Sequence, residues 1–111
     1  MGKISDATFT GKSGTQYNFE VYTTDTTFNA VGAVYIFSKR AVGLNGIGTH
    51  TPLYIGQTES LAVRIPNHEK WPCVNRNGCN CICVHVDGNE DSRLNKETDL
   101  RAAYGTPCND Q

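Results

Sequence analysis

The side chains with chemical potential in this chain are few. Tyr35 and Tyr54 lie on strand-forming segments, Arg64 and His68 stand four residues apart, and Glu97 falls on a late helical segment. A phenol can accept a proton once a cation or metal lowers its pKa from near 10. A guanidinium offers a planar fork to an oxyanion. A carboxylate suits a hard ion such as magnesium, which typically takes one or two protein carboxylates and keeps several waters. Together these groups suit charge neutralisation and proton transfer at an anionic centre. Each also has a plainer structural use. Tyrosine is a good strand former, an arginine stem packs on a core with its head in water, and Glu97 can pair with Arg93 or Arg101 for only about 0.3–0.5 kcal/mol.

The elements that must position these groups follow from pattern. Residues 9–10 and 17–22 are β-prone and are separated by Gly11-Lys12-Ser13-Gly14, a hairpin signal. Residues 32–37 form a strongly β-prone, central strand in which Tyr35 points opposite to Val34 and Ile36. Residues 53–56 form a short strand in which Tyr54 points opposite to Leu53 and Ile55. If these strands pair, both phenols can share one side of the sheet as cross-strand neighbours. Between them, residues 41–51 carry Gly43, Gly46 and Gly48 ahead of Pro52, and the spacing predicts a long mobile loop.

Thr58 marks a helix start, after which Leu61, Arg64, Ile65 and His68 recur on one helical face. Pro66 predicts a kink or an early end there. Residues 79–86 alternate as a third core strand, with Cys79, Cys81, Cys83 and His85 on one face. Asp87-Gly88-Asn89 turns into a final helix running to about Tyr104 and stopped at Gly105, with Arg93, Glu97, Leu100 and Tyr104 on one stripe. The expected fold is α+β: a small central antiparallel β-sheet flanked by helices, with an added N-terminal β-hairpin. The expected division is residues 1–29 as hairpin extension and connection, and residues 30–111 as the part bearing the candidate groups, within one compact domain.

Composition bounds the function. The 111 residues suit one domain, with 38% hydrophobic and 19% charged residues. No apolar run approaches the ~20 residues needed to cross a bilayer, and no secretory segment opens the chain, so the expected location is the cytoplasm, with no membrane partner. A net charge of −1 gives no broad basic field, so any phosphate-binding surface must be local. Five cysteines without sign of secretion predict free thiols. Zinc is not expected on the Cys79–Cys81–Cys83 trio: alternate strand residues stand ~6.6 Å apart, too far for sulfurs sharing Zn–S bonds of ~2.3 Å.

The order and spacing of the motifs carry more than any single residue. Ala33-Val34-Tyr35, Tyr54-Ile55-Gly56, Arg64 eight positions after Gly56, His68, Glu97 and Asn109 resemble the GIY-YIG nuclease family. The resemblance covers about residues 32–109, with Ala33 where the family has its first glycine. It implies a divalent-metal-dependent endonuclease hydrolysing DNA phosphodiester bonds with Mg2+ or Mn2+. In that reading Tyr35 or Tyr54 is the general base, Arg64 clamps the phosphate, His68 positions or activates a tyrosine or water, and Glu97 holds the metal. Gly56 and Asn109 support the site. DNA is the implied partner, with a protein supplying further DNA-binding surface as an added expectation. The alternative is a non-catalytic nucleic-acid- or protein-binding module on the same fold.

Overall fold

In the computed structural model, which describes residues 3–109, eight elements follow one another. They are β1 (Lys3–Thr10), β2 (Gln16–Thr23), β3 (Ala33–Val42), β4 (Gly48–Thr58), α1 (Leu61–Arg64), α2 (Trp71–Arg76), β5 (Cys81–Val86) and α3 (Glu90–Ala103). The strands form one antiparallel sheet in the order β1-β2-β5-β3-β4. This is the expected α+β architecture. The outer ends of the two expected segments, residues 1–2 and 110–111, lie outside the described residues.

Alternation along the strands builds two cores. On one face Ala33, Tyr35, Phe37, Ile82 and Val84 meet Leu61, Ile65, Cys73 and Val74 from the region of α1 and α2. On the other, Phe9, Phe19, Val34, Ile36, Ile55, Cys81 and Cys83 meet Leu100 of α3. The central strand β3 is buried on both faces from Ala33 to Ser38, which is why it reads as a continuous apolar run.

The N-terminal hairpin is an integral part of the sheet. Its strand β2 pairs with β5, Glu20 opposite Val84 and Thr23 opposite Cys81. Its turn is held to α3 by Asp99, whose carboxylate accepts from Ser13 N (2.9 Å), Ser13 Oγ (2.7 Å) and Tyr17 Oη (2.7 Å). These bonds cross more than 80 residues of chain, so only the folded state makes them.

Several local expectations are corrected. Residues 41–51 form no long loop: β3 and β4 continue past the sheet as a two-stranded ribbon and close through a tight turn at residues 43–47. There Gly43 N donates to Ile47 O (3.0 Å) and Gly46 N to Gly43 O (2.9 Å), with Gly46 at φ +79. Of the glycines that suggested mobility, Gly43 and Gly46 build the turn, with the positive φ that favours a residue without Cβ at Gly46, while Gly48 already pairs with Val42 in the ribbon. α2 was not foreseen. Cys79 leaves the strand face of Cys81 and Cys83 and packs against the opposite core, because β5 begins only at Cys81. Cys73 and Cys108 are joined by a disulfide, Cα–Cα 5.9 Å, whereas Cys79, Cys81 and Cys83 are free. The free-thiol expectation therefore fails for two of five, since the fold brings α2 and the C-terminal segment together across 35 positions. Among the described residues no helix is long and apolar enough to cross a membrane.

Candidate active site

Strand pairing places the two tyrosines. β3 and β4 run antiparallel with Tyr35 opposite Gly56 and Phe37 opposite Tyr54, so the phenols are diagonal neighbours on one face, ring centroids 6.1 Å apart and near-parallel. Tyr35 is 1% exposed; Tyr54 is only partly buried. Gly56 makes room for them. A Cβ there would stand 2.7 Å from Tyr35 Oη and 2.9 Å from Tyr54 Cε2, closer than real carbon contacts allow.

The helix–turn after β4 supplies the basic pair. α1 has only four residues, because Pro66 cannot continue it. A Thr58 turn, with Thr58 Oγ1 accepting from Ser60 N (3.1 Å), leads in, and Ser60 rather than Thr58 takes the N-cap position. Arg64 remains on α1, whereas His68 lies beyond it and not on the same helical face. The early end, and not helical spacing, brings His68 to the tyrosines. Its ring contacts Tyr35, Phe37 and Tyr54 at centroid distances of 5.6, 4.9 and 4.8 Å. Trp71 braces the turn, donating Nε1 to Ile65 O (2.7 Å) and stacking at 4.6 Å on Phe37.

Hydrogen bonds define the protonation of this group. The Lys70 backbone N–H donates to His68 Nδ1 (3.1 Å), so Nδ1 offers its lone pair. Burial, seconded by the Arg64 charge, pushes the His68 pKa down to about 4, which leaves the ring neutral near pH 7. The single ring proton therefore sits on Nε2 and is donated to Tyr35 Oη, 2.7 Å away. Arg64 Nε donates to the same oxygen at 3.4 Å. Tyr35 Oη thus accepts from two donors, and both favour its phenolate form. Burial opposes them and, with the Tyr54 phenol and Glu97 carboxylate nearby, holds the Tyr35 pKa well above the usual tyrosine range.

The rest of the Arg64 fork is engaged by Glu69, at 2.7 Å from NH1 and 3.2 Å from NH2. This pair lies at the surface beside an open groove of about 390 Å3 lined by Thr58, Glu59, Ser60, Val63 and Arg64. An anion entering the fork must displace Glu69. Glu69 was missed in the sequence because its link to Arg64 depends on the turn at residues 65–67, not on helical spacing.

Glu97 makes no hydrogen bond to this cluster among the described residues, although its charge reaches Tyr35. The stripe of α3 is as expected, with Arg93 and Leu100 buried on either side of it, but α3 packs on the opposite face of the sheet from Tyr35. The pairing of Glu97 with Arg93 is not found. Arg93 instead donates to Gln57 Oε1 (3.0 Å) and to the Asp87 carbonyl (3.1 Å). Glu97 is half-buried, and among the described residues its carboxylate has no hydrogen bond or ion pair. Burial raises its pKa, against the opposing charge of Arg101. Its connection to the tyrosines is electrostatic only, through its effect on Tyr35. A single half-buried carboxylate without a hydrogen-bonding partner fits a hard ion that keeps most of its waters. Among the described residues no group of three or more His, Cys, Asp or Glu gathers to hold a metal by protein ligands alone.

Asn109 closes the structure. Its Oδ1 accepts from Ile55 N and its Nδ2 donates to Ile55 O, both at 2.9 Å, so it clamps the outer edge of β4 between Tyr54 and Gly56. Cys108 N donates to Leu53 O (3.0 Å), and its disulfide to Cys73 ties the clamp to α2. Tyr35, Tyr54, Arg64, His68 and Gly56 thus form one cluster, with Asn109 supporting it from the strand edge. The chain matches no family model, curated protein or solved structure with which it was compared.

Proposed function

We propose that this protein is a divalent-metal-dependent endonuclease acting on DNA phosphodiester bonds, as its resemblance to the GIY-YIG nucleases implies. The observation that carries the reading is the Tyr35 hydroxyl held by His68 Nε2 and Arg64 Nε. Two donors aimed at one buried phenol oxygen favour a phenolate, which a purely structural tyrosine does not require. Tyr35 is the general base, taking the proton of the attacking water. His68 keeps an N–H on the phenolate and is not itself the proton acceptor, since its free lone pair is occupied by Lys70 N–H. Tyr54, stacked beside Tyr35 and more exposed, orders the substrate side. Arg64 binds the phosphate with the fork now held by Glu69 and thereby neutralises charge in the transition state. Glu97 would hold magnesium or manganese, whose chemistry is charge neutralisation at the phosphate and help to the leaving oxygen.

A magnesium-dependent cleavage assay on duplex, single-stranded and branched DNA tests this. Tyr35→Phe and Glu97→Ala should each remove activity while the fold is kept; full activity in either variant removes that residue's role. A non-cleaving nucleic-acid-binding module is the second reading. It is favoured by the raised Tyr35 pKa, which disfavours a standing phenolate. Retained DNA binding without cleavage by the metal-loaded protein would select it.

A further inference from the structure

The ribbon formed by the outer halves of β3 and β4 touches the core only near its root, where His50 packs 5.8 Å from the Phe9 ring and its Nδ1 lies 2.7 Å from Ser38 Oγ, and its outer part borders an open groove shared with β1. β5 pairs with β3 only as far as Ser38, opposite Cys81. Beyond it, Lys39 to Val42 pair with Thr51 to Gly48 alone. The ribbon grows directly from the strand pair that carries the tyrosines, Phe37 opposite Tyr54 being its base. Its root is stiffened by Asn80, which accepts from Arg40 N (2.7 Å) and donates to Arg40 O (2.9 Å).

Charge and polarity single this ribbon out. Residues 38–52 include Lys39 and Arg40 and no Asp or Glu, in a chain of net charge −1. Burial and the Arg40 charge push the His50 pKa down, so the positive charge of the ribbon is that of Lys39 and Arg40. Among the described residues the buried Arg40 Nε has no hydrogen-bond partner. At the tip, Val42, Leu44 and Ile47 are exposed apolar side chains. A ribbon with two adjacent basic residues near its base on β3, no acid of its own and an apolar tip is complementary to a polyanion that also offers apolar surface. Duplex DNA is such a partner, and its major groove, ≈ 12 Å wide, admits a two-stranded β-ribbon.

We propose that residues 38–52 are a DNA-docking arm which enters a groove of the duplex, with Lys39 and Arg40 on phosphates and Leu44 and Ile47 against base edges. The inference rests on the nuclease reading for its choice of partner and adds to it the surface that sets where the strand meets Tyr35. At ~3.3 Å per residue the arm reaches roughly 15–20 Å beyond Phe37, about half a turn of duplex. A chain lacking a general basic field can thus still hold DNA locally.

The test is the binding of the whole protein to a labelled duplex of about two helical turns, followed by fluorescence anisotropy across salt without cleavage-supporting metal. Each phosphate contact contributes about 0.9 to the slope of log affinity on log salt. Lys39→Ala combined with Arg40→Gln should lower that slope by about 1.8, so the loss of affinity between about 50 and 200 mM salt shrinks roughly twelvefold. Leu44→Ser with Ile47→Ser should weaken binding and leave the slope unchanged. Both pairs lie at exposed or peripheral positions, and unchanged thermal unfolding would show that the fold is intact. Wild-type affinity and slope in both double variants, with binding lost in Arg64→Ala, would overturn the arm and leave the nuclease reading standing. Arm-dependent binding by a protein that never cleaves would sink the nuclease reading alone. Conversion of a dimer to a monomer by the tip variant, with DNA affinity unchanged, would assign the arm to a second copy of the chain and also overturn the proposal.

Discussion

Acidification offers a quantitative test of how His68 is held. The ring is 4% exposed, caged by Tyr35, Phe37 and Tyr54, and receives a hydrogen bond on Nδ1, so a proton added there loses that bond and gains no water. Its pKa falls from the ordinary 6.5 to about 4 on folding. The unfolded chain therefore binds more protons between those values, and stability must rise with pH across that window and fall as pH drops through it. The loss attributable to His68 is about 2 kcal/mol at pH 5 and about 3 kcal/mol at pH 4, relative to pH 7. Urea unfolding of the wild type and of His68→Gln at pH 7 and pH 5 isolates this contribution, because the other titrating groups, including His50, whose pKa burial also lowers, are common to both. The gap between the two proteins should narrow by about 2 kcal/mol on going to pH 5. A gap independent of pH would refute the buried neutral imidazole and, with it, the assignment of the ring proton to Nε2.

Other outcomes follow from the same geometry. Tyr35→Phe keeps the ring packing but removes the oxygen that accepts from His68 and Arg64, and should lower cleavage by roughly 10²–10⁴-fold with little change in DNA affinity. Glu69→Gln frees the Arg64 fork at a pair that is mostly exposed; phosphate or DNA affinity should rise by no more than about fivefold, measured by titration, and a fall would mean that Glu69 positions Arg64 instead. Gly56→Ala forces a Cβ into the Tyr35 and Tyr54 rings and should destabilise by about 1–3 kcal/mol in denaturant unfolding, with loss of activity. Replacing Cys73 and Cys108 together by serine opens a link across 35 positions and should cost up to about 4 kcal/mol, with reductant reproducing the effect on the wild type.

Much of the fold was legible because it is written in local chemistry. The β-prone apolar run of residues 32–37 and the alternation along residues 81–86 mark strands, the first buried on both faces and the second changing faces at every residue. Asn89 accepts from Ser92 N (2.8 Å) as the start of α3, and Tyr104 ends it before Gly105, both within one turn of the residues that signal them. The shared face of Tyr35 and Tyr54 also follows from alternation once the strands pair. So does the buried stripe of Arg93 and Leu100, which is a matter of helical period.

What the sequence could not determine depends on partners distant along the chain. The residues opposite His68, the partner of Cys73 and the acceptors of Arg93 are chosen by the closure of the whole sheet, not by spacing. Helical period put His68 on the Arg64 face, and Pro66 showed only that the period would fail, not where the freed residue would go. The glycine-rich segment between the tyrosines displays the same division. Its glycines mark a turn in any context, but whether the flanks form a loop or a paired ribbon depends on strand register, and register is a property of two segments meeting. Composition and local period therefore specify the elements, whereas the site exists only where non-local packing makes one oxygen of Tyr35 the common acceptor of two separate donors.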